Sequence, residues 1–316
     1  MDNRNQERGG EPQHISQTLS RLSEKPGGQS SSAEKRPKQE TKVQECECRS
    51  CGGKFMGEVT VFSFFQPPRE VRARECPTCR KKREEEEKRL EEQERDVQRV
   101  AIREKWRKEC GIPWGLNCTR FEDFEPEFQR EALRLCRQYA ENFDLENTSG
   151  TPSLYLYSKE PGVGKTTLMA CIANYVIDRW RGDPSSTLSP VRFENGPGLV
   201  RRIRATYNIP DEQKVHHETE EQVCAQLCNV RLLMLDDVGK EKPSDFTREL
   251  YWYLIDRRVA RGLPVVVSSR LTLERETDSP LSELMKVDTV DRLYGMCRGK
   301  IVVLTGTSYR SRKLVP

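Results

Sequence analysis

SLYLYSKEPGVGKTTLMACIANYVIDRW, residues 153–180, decides how this chain is read. An apolar run stops at Ser158, a loop containing Gly162 and Gly164 follows, and from Lys165 onward apolar residues recur at Leu168, Ile172 and Tyr175, the spacing of one helix face. Strand, glycine loop and helix form the context in which backbone N–H groups and a helix N-terminus converge on an anion. Glycines let that backbone wrap closely because they carry no Cβ. Pro161, Gly162, Val163, Gly164, Lys165, Thr166 and Thr167 are therefore expected to hold the phosphates of ATP. Lys165 would reach the β- and γ-phosphates, and the Thr166 hydroxyl would ligate Mg²⁺. The pattern G-x-x-x-x-G-K-[ST] has glycine where this chain has Lys159, so either the turn is altered there or φ is already negative.

Toward the C-terminus, a nucleotide hydrolase needs a second strand carrying carboxylates beside the first. RLLMLDD (231–237) supplies it, with Asp236 and Asp237 emerging at the carboxyl end, where open α/β sheets bind ligands. Asp236 is expected in the Mg²⁺ shell and Asp237 as the group that polarises the attacking water. Further apolar runs lie at 191–195, 264–269 and 300–306, separated by amphipathic stretches. Runs buried on both faces and alternating with helices predict an α/β fold, a parallel sheet covered by helices.

The segments LLMLDDVGKEKPSDFTRELYWYLIDRRVARGLPVVVSSRLTLERE (232–276) and VDRLYGMCRGKIVVLTGTSYRSRK (290–313) resemble the DnaC/DnaI-type helicase loaders, AAA+ ATPases, and their IstB relatives. CGIPWGLNCTRFEDFE (110–125) and VRFENGPGLVRRIRATYN (191–208) are similar to the start and middle of the same ATPase domain. The resemblance covers about 110–316 and implies ATP hydrolysis, DNA replication, single-stranded DNA and a replicative hexameric helicase as partner. It implies that Arg292, in the triplet Asp291-Arg292-Leu293, is an arginine finger that makes a homo-oligomer the active form. It also implies that Arg310 is the sensor 2 arginine. Arg201, Arg202 and Arg204 fall on the helix that lies near the DNA-facing side in this family. Where the family has Thr-Ser-Asn at sensor 1, this chain has Ser268-Ser269-Arg270, and an arginine cannot accept the hydrogen bonds that an amide accepts. Many AAA+ ATPases carry Glu at the second acidic position, and Asp237 is one methylene shorter, so slow hydrolysis is predicted.

On the amino-terminal side, Cys48-x₂-Cys51 and Cys76-x₂-Cys79 form two thiolate hooks suited to tetrahedral Zn²⁺ in a structural role, with Cys46 an alternative to Cys48. Between the hooks lie FMGEVTVFSFF and PPREVRAR; arginines beside aromatics can grip single strands, but most of these aromatics read as the small core of a β-hairpin. Residues 1–45 are polar and predicted disordered, 46–80 form the zinc module, 81–110 a charged and solvated helical spacer, and 111–316 the ATPase domain. Cys136, Cys171, Cys224, Cys228 and Cys297 sit among apolar neighbours and read as core.

Composition bounds the rest. The 316 residues are 34% hydrophobic and 33% charged, with a net charge of only +4, too mild to imply nucleic acid by itself. The chain begins without a signal-peptide pattern and has no apolar run of membrane length, which predicts a cytoplasmic protein with no membrane partner. Two other readings stay open at this stage: an IstB-like transposition helper, and a nucleotide-switched DNA-binding module with negligible hydrolysis.

Overall fold

Every apolar run read as a strand is one. The computed structural model describes residues 39–125, 128–186, 188–207, 218–275 and 279–309. The chain divides into two units, residues 1–88 and 89–316.

The second unit is built on five strands: β4 (Leu154–Tyr157), β5 (Val191–Asn195), β6 (Leu232–Val238), β7 (Val265–Ser269) and β8 (Ile301–Val303). The sheet order is β5-β6-β7-β4-β8 and every pairing is parallel. One expectation is corrected here. The acidic strand β6 does not lie beside β4, because β7 is hydrogen-bonded between them. The helix after the phosphate loop crosses this gap instead, as described below.

Period-2 alternation feeds two cores from one sheet. Leu154, Leu156, Leu232, Met234, Val266 and Val302 join one cluster, while Tyr155, Leu233, Leu235, Val265 and Val267 join the other. Helices α2 (Arg130–Glu141) and α3 (Lys165–Arg179) cover the first face. Helices α4 (Gly196–Tyr207), α5 (Glu220–Asn229), α6 (Asp245–Arg261), α7 (Pro280–Met285) and α8 (Val287–Cys297) cover the second. The five cysteines read as core are all buried. Arg258 is fully buried too. Its guanidinium donates to the carbonyls of Leu227 at 2.7 Å and Val230 at 2.9 Å, tying α5 to α6, and burial pulls its pKa down to about 9.

The first unit is a three-stranded antiparallel sheet of β1 (Gln39–Glu47), β2 (Lys54–Phe62) and β3 (Arg69–Arg72). β1 thus begins inside the stretch whose composition implied disorder. Its side chains are almost all exposed, and what holds it is the backbone ladder, which pairs Gln39 with Phe62 through to Glu47 with Lys54. Two of the four aromatics between the hooks differ from expectation, while Phe55 and Phe62 are half-buried on β2. Phe64 is 54% exposed and Phe65 38%, with the Arg69 guanidinium 4.8 Å from the Phe65 ring centroid, so they do not form a hairpin core.

Helix α1 (Pro77–Glu109) contains the charged run. Val97 and Val100 are exposed as a solvated spacer requires, but its last turns are not solvated. Trp106 is 1% exposed and meets Trp180 edge-on at 4.6 Å between ring centroids. Arg103 donates to the Trp180 carbonyl, and Arg107 pairs with Asp178. One large aromatic outweighs the helix's polar average at this end. The helix stops at Gly111, whose φ is +95° and whose Cβ position lies 2.0 Å from the Phe193 carbonyl oxygen. Gly111→Ala is accordingly expected to cost at least about 2 kcal/mol, read as a lowered denaturation midpoint at unchanged m-value.

Candidate functional site

The phosphate loop follows β4 directly. Gly164 has φ +100° and opens α3, so the loop's N–H groups and the helix N-terminus face the same space. Lys159 needs no glycine: among the described non-glycine residues only Asp237, Lys286 and Arg298 have positive φ. Of the two expectations for that position, negative φ is the one found. Lys165 is 6% exposed, and its ammonium donates to the carbonyls of Ser158 at 3.2 Å and Glu160 at 3.3 Å. Burial pulls its pKa down, Asp237 opposes that, and the nearby Arg270 charge adds to it. A buried ammonium resting on two carbonyls is poised to exchange them for phosphate oxygens.

From α3, the Thr166 hydroxyl donates to Asp236 Oδ2 at 2.9 Å. The sequence gap between these residues is closed by the helix crossing over β7. Asp236 is buried, and its other oxygen accepts from Ser268 Oγ at 2.5 Å. Burial raises the Asp236 pKa and Asp237 adds to this, while Ser268 and Thr166 hold it down. A desolvated carboxylate beside a hydroxyl is the donor set a hard cation with water ligands takes, so Thr166 and Asp236 fit Mg²⁺.

Asp237 adopts φ +55°, in the left-handed region that favours glycine and that aspartate visits more readily than most side chains. Its backbone N–H donates to the same Ser268 Oγ at 2.9 Å, which fixes that conformation. Its carboxylate pairs with Lys240 at 2.5 Å. Ser268 therefore serves both acids at once. Its role could not be read from residue type alone, since a strand serine is commonplace. Lys240 was missed for a similar reason, being one of several charges in a loop.

The other sequence-derived residues do not converge on this loop. Arg292 pairs with Asp256 across α8 and α6. It lines a cleft with Ser153 and Pro264, which precede β4 and β7, so it stands at the sheet edge opposite the phosphate loop. Arg310 lies outside the described residues. The segment just before it is close to the loop: Tyr309 N donates to the Gly162 carbonyl at 2.9 Å. Gly162 has φ +75°, and a Cβ there would sit 2.2 Å from Ser308 Oγ. Tyr309 OH also donates to Glu125 at 2.6 Å, a link between distant segments that local sequence does not announce.

On α4, Arg201 and Arg204 are exposed, and Arg204 stacks over Phe246 at 5.0 Å. Arg202 is held by Glu194 at 2.5 Å and Glu218 at 2.6 Å. The basic cluster is thus partly neutralised, which the arginine spacing did not reveal.

In the first unit, Cys48, Cys51, Cys76 and Cys79 place all four sulfurs within 4.8 Å of one another. Cys46 is buried apart from this group, so Cys48 completes the set. The Cys76 N–H donates to Cys48 Sγ at 3.3 Å and helps bring that thiol down to about 6. Neighbouring sulfurs, Cys76 first, push Cys79 up to about 12. Sulfur atoms gathered this closely fit tetrahedral Zn²⁺.

No protein-family model matches the chain. It is 27% identical over 202 residues to the replicative helicase loader DnaC of Escherichia coli K12, covering 63% of this chain and 72% of that protein. It is 30% identical over 145 residues to DnaC of Buchnera aphidicola subsp. Schizaphis graminum, covering 45% and 51%. A crystal structure of the DnaC helicase loader aligns at 21% identity and a TM-score of 0.47, covering 61% of this chain and all of that one. The resemblance to DnaC-type loaders therefore stands, and the fold is a parallel sheet covered by helices, with a glycine loop after β4 and an acidic end on β6.

Proposed function

We propose that this protein is an ATP-dependent helicase loader: it binds ATP and Mg²⁺, grips single-stranded DNA and delivers a replicative hexameric helicase. The observation that carries this is the Thr166–Asp236 hydrogen bond, which joins the phosphate loop to the acidic strand at one point. The similarity to DnaC supplies the helicase as partner. In this reading Lys165 holds the β- and γ-phosphates, Thr166 and Asp236 hold Mg²⁺, and Asp237 orients the water. Arg292 stands away from its own chain's loop, which suits a finger offered to a neighbouring copy. Arg310 completes the proposed set from the tail. Residues 46–80 form the proposed zinc module, 81–110 the spacer and 111–316 the ATPase domain, with the strand from Gln39 extending the module. No helix among the described residues is long and apolar enough to cross a membrane, and we place the protein in the cytoplasm.

The test is co-purification of the full chain with a replicative hexameric helicase in ATP, in ADP and without nucleotide. Retention that depends on ATP, with transfer of the helicase to single-stranded circular DNA, is the expected result. No retention under any condition sinks the loader reading.

A second reading, a nucleotide switch that hardly hydrolyses ATP, is favoured by the Lys240–Asp237 ion pair, which occupies the carboxylate that water would need. Turnover measured with and without single-stranded DNA separates the two.

The DNA face is proposed to be Arg201, Arg202 and Arg204, with unequal weights. Arg202 must break two ion pairs before it meets a phosphate. Replacing Arg201 and Arg204 by alanine is expected to flatten the dependence of log affinity on log salt by about 1.4, near 0.7 for each phosphate contact on a single strand. A salt titration of binding to labelled oligothymidylate checks this, and an unchanged slope removes both residues from the interface.

A further inference from the structure

Phe64 and Phe65 are large apolar side chains exposed to solvent, outside every site assigned so far. They belong to residues 63–68, the connection between β2 and β3, where Pro67 and Pro68 restrict the backbone. Three rings form a series here. Phe62 meets Phe64 edge-on at 5.7 Å between centroids, and Phe64 leans on Phe65 at 4.4 Å with 38° between their planes. Phe62 sits opposite Arg69 in the strand register, and the Arg69 guanidinium lies over the Phe65 ring. The rings are ordered by one another and by a cation, yet those of Phe64 and Phe65 stay open to solvent.

Exposed rings alone do not say what covers them. The charges beside them do. Between Arg69 and Arg83 the only acids are Glu70 and Glu75, and both are engaged, Glu70 by Arg72 at 2.9 Å and Glu75 by Arg83 at 3.0 Å. Arg69, Arg74 and Arg80 are exposed, and none forms an ion pair with a described carboxylate. Arg49, equally unpaired, joins them where its N–H donates to the Arg74 carbonyl at 2.9 Å. β3 is an edge of its sheet, and at about 3.3 Å per residue the step from Arg69 to Arg74 covers about 16 Å. A protein partner would have to desolvate these free guanidinium groups to reach the rings. A polyanion that also carries flat apolar faces uses both. Bases stack on aromatic rings whatever their sequence, and guanidinium forks match phosphate oxygens. A duplex keeps its base faces inside its own stack, so the fitting form is a single strand.

We infer that Phe64 and Phe65 form a base-stacking platform for single-stranded nucleic acid, with Arg69 and the arginines toward the cysteine cluster on its phosphates. This contact lies in the first unit, apart from the α4 arginines, and needs no nucleotide. It therefore survives failure of the ATPase reading.

The test uses the full chain without ATP and measures binding of labelled oligothymidylate, oligouridylate and a blunt duplex of the same length. Replacing Phe64 and Phe65 together by alanine is expected to weaken single-strand binding by on the order of 10–100-fold, the range of one stacked base, and to leave duplex binding unchanged. The slope of log affinity against log salt stays at its wild-type value, because a ring releases no counterion. Arg69→Ala is expected to lower that slope by about 0.7. Phe64→Trp keeps the affinity and adds fluorescence quenching by the strand beyond that of wild type. A loss on only one of the two strands names the ligand as DNA or RNA and supports the inference. Unchanged affinity, an equal loss on duplex, or wild-type protein that binds no single strand overturns it. Unchanged strand binding together with lost co-purification of the helicase also overturns it, and makes this a protein-docking surface. The exposed rings predict an unaltered melting temperature, and Phe64→Trp with Arg69→Ala carries the comparison if the double variant does not fold.

Discussion

Lys165→Ala is expected to abolish ATP-dependent behaviour while leaving the fold in place. The ammonium is buried at the start of α3 and aimed along the loop, held by the Ser158 and Glu160 carbonyls. In the proposed reading, nucleotide binding exchanges two neutral acceptors for charged phosphate oxygens, and that difference is expected to be lost in the variant. Removing one preorganised donor of this kind lowers turnover by on the order of 10²–10³. The stability of the unliganded protein changes little, because two opposing effects meet. The variant loses two hydrogen bonds worth about 1 kcal/mol each. It also relieves the desolvation that pulls the lysine's pKa down. The clean readout is the thermal shift on adding MgATP. Saturating ligand at about 100 times Kd stabilises the wild type by about 2.7 kcal/mol, and in the variant this shift is expected to vanish. A variant that melts like the wild type and still shifts with MgATP would remove Lys165, and the phosphate loop with it, from the site.

The parts of this molecule that are local in sequence were legible, and those that depend on a third residue were not. The five strands of the large sheet were readable because strands buried on both faces have no choice but to be apolar along their length. The phosphate loop was readable because strand, glycines and helix are contiguous. Strand order was not: nothing within 231–237 says that β7 intervenes between the two nucleotide strands, since order follows from crossovers over the sheet. Trp106 shows another limit. A charge-rich run averages to a solvated helix, but the Trp106 indole and the buried Arg103 at its end pack against Trp180. Ser268 shows a third, because a hydroxyl becomes informative only when two aspartates converge on it. In the first unit the aromatics misled for the opposite reason. Phe64 and Phe65 suggested a core, but both lie past the end of β2, and their rings stay on the surface.

That absence of a core sets up the second large effect. Among the described residues of the first unit, the only hydrophobic side chains that are buried are Cys46, Cys48 and Val59. Ordering the backbone costs about 1–2 kcal/mol per residue, and burying one valine contributes only about 1.5–3 kcal/mol. The module therefore needs another source of stability, and the four sulfurs of Cys48, Cys51, Cys76 and Cys79 supply a site for one. Structural Zn²⁺ contributes apparent binding energies of about 10–16 kcal/mol in small domains, all of it coupled to folding. Stripping the metal with a strong chelator, or replacing Cys76 by Ser, is expected to unfold residues 39–76 and leave the α/β unit standing. Hydrogen exchange on the full chain separates the two: protection of β1, β2 and β3 is lost, while β4 to β8 and the MgATP thermal shift are retained. The pH dependence follows in sign. Cys48, brought down to about 6, is already a thiolate near neutrality, whereas Cys79, pushed up to about 12, must release a proton to bind. Zinc affinity is therefore expected to rise with pH above neutrality and to fall steeply as Cys48 protonates below about 6. Unaltered exchange in β1 to β3 after complete metal removal would mean that the backbone ladder alone holds this sheet, and the cysteine cluster would lose its structural role.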